Sequence, residues 1–229
     1  MNPVQYVLFF DVDGTITKIP GYQPGSLFDW YMQRLIPPNE MLQYEILSFF
    51  REFTEDPCSD RDHNTTITNF EETKNFLKTL TEIPETQIKI VFITNNEERA
   101  IKLLWTKAFG LPWERIDPQS YYRQTRLKYP TKAEYLAHWL NTYSPNTNNT
   151  NHRFMFFDDD IRNFPLPNDP IFNQLRNLRN IHSIQAINRL PEFPHFPNIQ
   201  AHHIYHFLES NFYEHPQICG PTTLYKPPM

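Results

Sequence analysis

The chain has 229 residues, of which 39% are hydrophobic and 15% aromatic, and a formal net charge of −5. That length bounds one domain with room for an insertion, and the composition excludes a disordered polyelectrolyte. There is no Lys/Arg run of the kind that marks nucleic-acid binding, no stretch of ~18 apolar residues to cross a bilayer, and no metal-ligand spacing around the two cysteines, Cys58 and Cys219.

Residues 6–10, YVLFF, form an apolar run without alternation, the pattern of a strand buried on both faces. Three of the five glycines, Gly14, Gly21 and Gly25, follow closely and mark tight turns. Two short helices are expected over about 26–35 and 39–54, parted by Pro37 and Pro38, and then a polar loop, EDPCSDRDHNTT. Residues 69–82 have amphipathic spacing, with Phe70, Phe76, Leu77 and Leu80 toward the core. A second buried strand, IKIVFIT, ends at Thr94. Asn96 is predicted to cap the next helix, with Glu97 and Glu98 in its first turn and a stop at Gly110 and Pro112 after about Ala108. A third helix starts at Thr131, which stands to Glu134 as in a capping box. Past the polar loop NTYSPNTNNTNH come the strand RFMFF, a helix and strand within 171–187 ending in SIQAI, a last helix over 200–212, and a Pro-rich tail.

Strands alternating with helices predict an α/β fold with a doubly wound parallel sheet. Such sheets bind ligands beyond the carboxyl ends of their strands, near a topological switch point. Asp11, Thr94 and Asp158 each directly follow an apolar strand, so all three are expected at one edge of the sheet. Asp11 and Asp13, at i and i+2, point to one side of an extended chain. Crowded in a partly dry cleft with Asp158 and with Asp159 or Asp160, they repel strongly. A hard divalent cation relieves that repulsion, and Mg²⁺ takes carboxylate, water and phosphate oxygens. One Asp at a strand end reads as a turn cap. Two acid clusters ending two apolar strands are poorly explained that way.

Four segments carry a resemblance, in order along residues 6–160. FFDVDGTIT resembles the first motif of the haloacid dehalogenase (HAD) superfamily, VFITNN the second, TKAEYLAHWL the third and FMFFDDD the fourth. The resemblance implies a Rossmann-like core over 1–17 and 68–213, a small helical cap inserted at 18–67, and a tail from 214 to 229. It implies that Asp11 is a nucleophile forming an aspartyl-phosphate and that Asp13 is the general acid/base, with its carbonyl on the metal. Asp13 favours a phosphatase or mutase over a dehalogenase, which lacks this second acid. Thr94 and the backbone N–H of Asn95 are the implied phosphate donors, and Lys132 the cation that neutralises phosphate and nucleophile. Asp158 and Asp159 are the implied Mg²⁺ ligands, with Asp160 as the fallback and Asn163 as a support. Lys128, four residues before Lys132, competes for the motif position; Lys132 is preferred because it opens a helix.

The expected function is an Mg²⁺-dependent phosphomonoester hydrolase acting on a phosphoprotein, phosphotyrosine in particular, or alternatively on a small phosphorylated metabolite. A small cap leaves room for a phosphorylated side chain. The lesser alternatives are a phosphomutase and a non-catalytic HAD-like binding module, and the latter fits poorly with an intact acid set. Neither cysteine has an Arg at the spacing of a cysteine-based phosphatase. His202, His203 and His206 read as a helix face, and Phe49, Phe50 and Phe53 as core. The start of the sequence lacks the basic region and apolar core of a signal peptide, so a cytoplasmic protein with no membrane span and no nucleic-acid partner is expected. Oligomeric state is not legible.

Overall fold

The structure is a computed structural model, and it describes residues 4–17, 70–143, 151–160, 163, 184–187 and 199–214. The expected cap with its two short helices, both cysteines, the three cap phenylalanines, the helix before SIQAI, residues 144–150 of the polar loop and the tail beyond residue 214 lie outside the described residues.

The sheet is built from β1 (Val4–Phe10), β2 (Ile88–Phe92), β3 (Asn151–Phe157) and β4 (Ile184–Ile187), all parallel, in the order β2-β1-β3-β4. The helices are α1 (Phe70–Glu82), α2 (Glu98–Leu103), α3 (Lys132–Tyr143) and α4 (Ala201–Glu214). The chain passes from β1 to β2 on one side and then returns beyond β1 to lay down β3. The strand order therefore reverses beside β1, and the crevice of a doubly wound sheet opens between β1 and β3.

Strand alternation divides the core into two layers. Tyr6, Leu8 and Phe10 join Phe76, Leu77 and Leu80 of α1, Ile101 of α2, and Ile204 and Leu208 of α4. Val7, Phe9, Phe154 and Phe156 join Tyr135, Leu136 and Trp139 of α3. The aromatic content is spent here: Phe10 stacks on Phe157 with centroids 4.6 Å apart, and Phe9 meets Trp139 edge-on at 5.2 Å. No helix among the described residues is long and apolar enough to cross a membrane.

The helix after β2 departs from the expected regular run. It continues from α2 into a π-helical turn, Leu104–Ala108, and stops at Gly110, which has φ +67°. The chain then runs as an irregular ribbon along the edge of β2. There Asp117 N–H donates to Ile90 O at 2.9 Å, Tyr121 N–H to Phe92 O at 2.7 Å, and Thr94 N–H to Tyr121 O at 3.0 Å. This ribbon occupies an edge that would otherwise expose unpaired backbone groups.

Candidate active site

The parity that sorts the core also aims the acids. Val7 and Phe9 face α3, and two residues further on the same side stands Asp11. Phe154 and Phe156 face α3, and Asp158 follows them. Phe10 pairs with Phe157, and Asp11 N–H donates to Phe157 O at 2.8 Å, so the two acids emerge level with each other. α3 begins directly over them. Thr131 Oγ1 accepts the Glu134 N–H at 3.1 Å while Thr131 N–H donates to Glu134 Oε2 at 3.0 Å, the expected capping box. The first helical residue is Lys132, whose Nζ lies 2.9 Å from Asp11 Oδ2 and 2.8 Å from Asp158 Oδ2. Lys132 is 4% exposed, so this is a buried ion triad rather than a surface pair. Lys128 is exposed, with its Nζ over the Tyr129 ring.

Val12 to Thr17 form a tight turn anchored on Val12 O, which accepts N–H groups from Ile16 at 2.8 Å and Thr17 at 2.9 Å. Gly14 has φ +80°, and a Cβ built there would collide with the Asp159 carboxyl group. Glycine is thus required twice, for its backbone angle and for the acid packed against it. Asp11, Asp158 and Asp159 bring one oxygen each within 4.8 Å of one another. Asp160 contributes through its backbone, its N–H donating to Asp158 Oδ1 at 2.9 Å, and it is not in the cluster of three. Asn163 Nδ2 donates to the same oxygen at 2.8 Å.

Asp13 is buried beside this cluster, with Oδ1 accepting from Thr17 Oγ1 at 3.0 Å and Oδ2 from Asn96 Nδ2 at 2.8 Å. Thr94 is buried at the end of β2, and Asn95 follows it on the exposed side of the loop. The expectation for Asn96 needs correction. The cap position of α2 belongs to Glu97, which makes no side-chain cap bond, and the Asn96 amide is turned inward to Asp13. Tertiary demand overrides capping preference here.

The charges do not balance locally. Burial raises Asp11 to about 6 against the pull of Lys132. Burial and then the Asp11 charge raise Asp158 to about 7, and burial and then Asp158 raise Asp159 to about 6. Burial alone would lower Lys132, but the Asp11 and Asp158 charges outweigh it and hold the ammonium above the usual lysine range. Among the described residues, one ammonium faces the three carboxylates of Asp11, Asp158 and Asp159, which leaves excess negative charge in a place with little water. The donor set is all hard oxygen, which fits Mg²⁺ or a similar divalent ion and does not suit a soft metal. The three histidines of α4 sit elsewhere as a helix face: His202 and His206 are exposed, and His203 Nδ1 accepts the Gln200 N–H at 3.1 Å.

No family model matches the chain, and no curated protein matches it in sequence. Among solved structures, the HAD domain of effector protein Lem4 from Legionella pneumophila aligns with a TM-score of 0.57 at 18% identity, covering 91% of this chain and 96% of that one. A structure of an inactive mutant of the same domain aligns at 17% identity and a TM-score of 0.47, over 91% and 94%. The first of these shows the fold to be HAD-like.

The raised acids fix a sign for pH dependence. Without a bound cation, the folded protein keeps protons that the unfolded chain gives up near the ordinary aspartate value of about 4, so these groups cost stability as pH rises from about 4 through about 7. A cation held by the carboxylates removes that cost. Millimolar Mg²⁺ should therefore raise the melting temperature by several degrees at pH 7.5 (about 2–4 °C per kcal/mol for a chain of this size) and much less at pH 5. Thermal unfolding with Mg²⁺ and with EDTA checks this; an increment that is absent at pH 7.5, or equal at both pH values, contradicts it.

Proposed function

We propose that the protein is an Mg²⁺-dependent phosphomonoester hydrolase working through an aspartyl-phosphate on Asp11. The observation that carries this reading is the Lys132 ammonium held between Asp11 and Asp158, with Asp13 clamped beside them. An Asp11 oxygen attacks phosphorus, the bond to the leaving oxygen breaks, and Asp13 gives that oxygen its proton as the alcohol departs. Asp13 then takes a proton from water, whose oxygen attacks the phosphorus. The bond to Asp11 breaks, freeing inorganic phosphate and restoring the carboxylate. Lys132 offsets negative charge on Asp11 and on the phosphoryl oxygens throughout. Thr94 and the backbone of Asn95 bind the phosphate. Asp11, Asp158 and Asp159, with the Asp13 carbonyl, would hold Mg²⁺, which when bound would neutralise the crowded carboxylates and phosphate.

Two features favour a phosphoprotein, phosphotyrosine in particular, over a small metabolite. Asp11 and Asp13 are only 6% and 4% exposed, and a tyrosine side chain carries its phosphate further from the peptide backbone than serine or threonine does. The second feature is the segment leading to Lys132. It starts against the Thr94 loop, with Arg123 N–H on Asn96 O at 2.9 Å, and ends at the site itself. Between these anchors lies the 3₁₀ turn Arg123–Leu127, followed by Lys128. Arg126 and Lys128 are exposed, and Leu127 between them is 95% exposed. In a chain of net charge −5 this is a basic, partly apolar rim suited to acidic residues flanking a phosphorylated side chain.

Asp11→Asn should abolish Mg²⁺-dependent hydrolysis of 4-nitrophenyl phosphate, with folding retained by circular dichroism; full activity in that variant sinks the mechanism. The double variant Arg126→Glu/Lys128→Glu should lower kcat/KM for an acidic phosphotyrosine peptide by about tenfold, as expected from two reversed surface charges, and leave 4-nitrophenyl phosphate unaffected. Preferential turnover of small phosphometabolites over every phosphopeptide would place the substrate in the other class.

A further inference from the structure

Asn96 is 1% exposed and makes contacts that neither helix capping nor core packing requires. Its Nδ2 lies 2.8 Å from Asp13 Oδ2, a separation in sequence of 83 residues, and 3.3 Å from Thr94 Oγ1. Its backbone N–H donates to the same Thr94 oxygen at 3.2 Å. Its carbonyl accepts the Arg123 N–H at 2.9 Å, which fastens the residue from the opposite side. The orientation of the amide follows from its partner, because only the NH₂ group can face a carboxylate.

We infer that Asn96 is a positioning residue that sets two groups of the proposed reaction at once. The inference rests on the phosphohydrolase reading and extends it to a residue without a role there. The first group is Asp13. A carboxyl group that passes a proton to a leaving oxygen, and regains one from water as the carboxylate, must be held in one plane, and Asp13 is gripped by Thr17 on one oxygen and Asn96 on the other. Among the described residues, these two neutral donors fix its orientation. The second group is Thr94. Two hydrogen bonds arrive at its oxygen, so its lone pairs are taken and its own hydrogen is directed to a phosphate oxygen. The Asn96 amide oxygen is buried with no protein partner among the described residues, which leaves it open to a hydrogen from the water that Asp13 activates.

The alternative is that Asn96 only supports the loop, and the leaving group separates the two. A phosphate ester with a good leaving group, such as 4-nitrophenyl phosphate, needs little help from a general acid; an alkyl ester needs it fully. Asn96→Ala should therefore lower kcat/KM for an alkyl phosphomonoester at least tenfold more than for 4-nitrophenyl phosphate. Thr17→Val, which removes the other donor to Asp13, should show the same preference to a smaller degree. Both variants are checked for fold by circular dichroism and for an intact thermal shift with Mg²⁺. If Asn96→Ala does not fold, the near-isosteric Asn96→Asp, which puts a repelling carboxylate where the donor stood, carries the comparison. A loss equal across leaving groups, or no loss, overturns the inference while leaving the hydrolase reading in place. A wild-type protein that turns over neither ester overturns both.

Discussion

A single buried ammonium organises the edge of the sheet. Lys132 lies 2.9 Å from Asp11 and 2.8 Å from Asp158, and all three side chains are nearly closed to solvent. Moving such charges out of water costs several kcal/mol per ion, and the cost is recovered only where geometry is good and the neighbours are satisfied. Here Asn163 and the Asp160 N–H satisfy Asp158, while Asp159 is pressed against Gly14. Burial raises the carboxyl groups of Asp11, Asp158 and Asp159, and under the proposed function a hard divalent cation would relieve their mutual repulsion.

The rest of the fold delivers those groups to one point. Side-chain alternation carries Val7 and Phe9 to Asp11 and Phe154 and Phe156 to Asp158 on one face of the sheet. The in-step pairing of Phe10 with Phe157 sets them level. The α3 helix packs on that face through Leu136 and Trp139, and its capping box at Thr131 fixes where Lys132 leaves the chain. A shift of one residue in β1 would turn Asp11 to the opposite face. The apolar strands therefore act as alignment devices as well as core, which explains why acids follow them directly.

Much of this was legible in the sequence because it depends on local pattern. Unbroken apolar runs marked the strands, amphipathic spacing marked α1, and the Thr131–Glu134 pair marked the start of α3. The doubly wound sheet followed from their alternation. The features that were not legible depend on contacts distant in sequence. Asn96 has the chemistry of a helix cap and stands where a cap belongs, and nothing local reveals that an acid 83 residues earlier takes its amide. The irregular ribbon beside β2 has no periodicity because it is positioned by the strand edge. Arg126, Leu127 and Lys128 hold only two charges, too few to look like a basic patch in the sequence. They gain meaning only from the anchoring of their segment between the Thr94 loop and Lys132.

The central claim is that Asp11 carries the phosphoryl group during turnover. It is tested most directly by mixing the protein with Mg²⁺ and an aryl phosphate, quenching in acid within a turnover, and locating the phosphoryl group by peptide mass spectrometry. The account predicts a modification on Asp11, which disappears when substrate is exhausted. A phosphoryl group found on another residue, or steady turnover with none on Asp11, would contradict it.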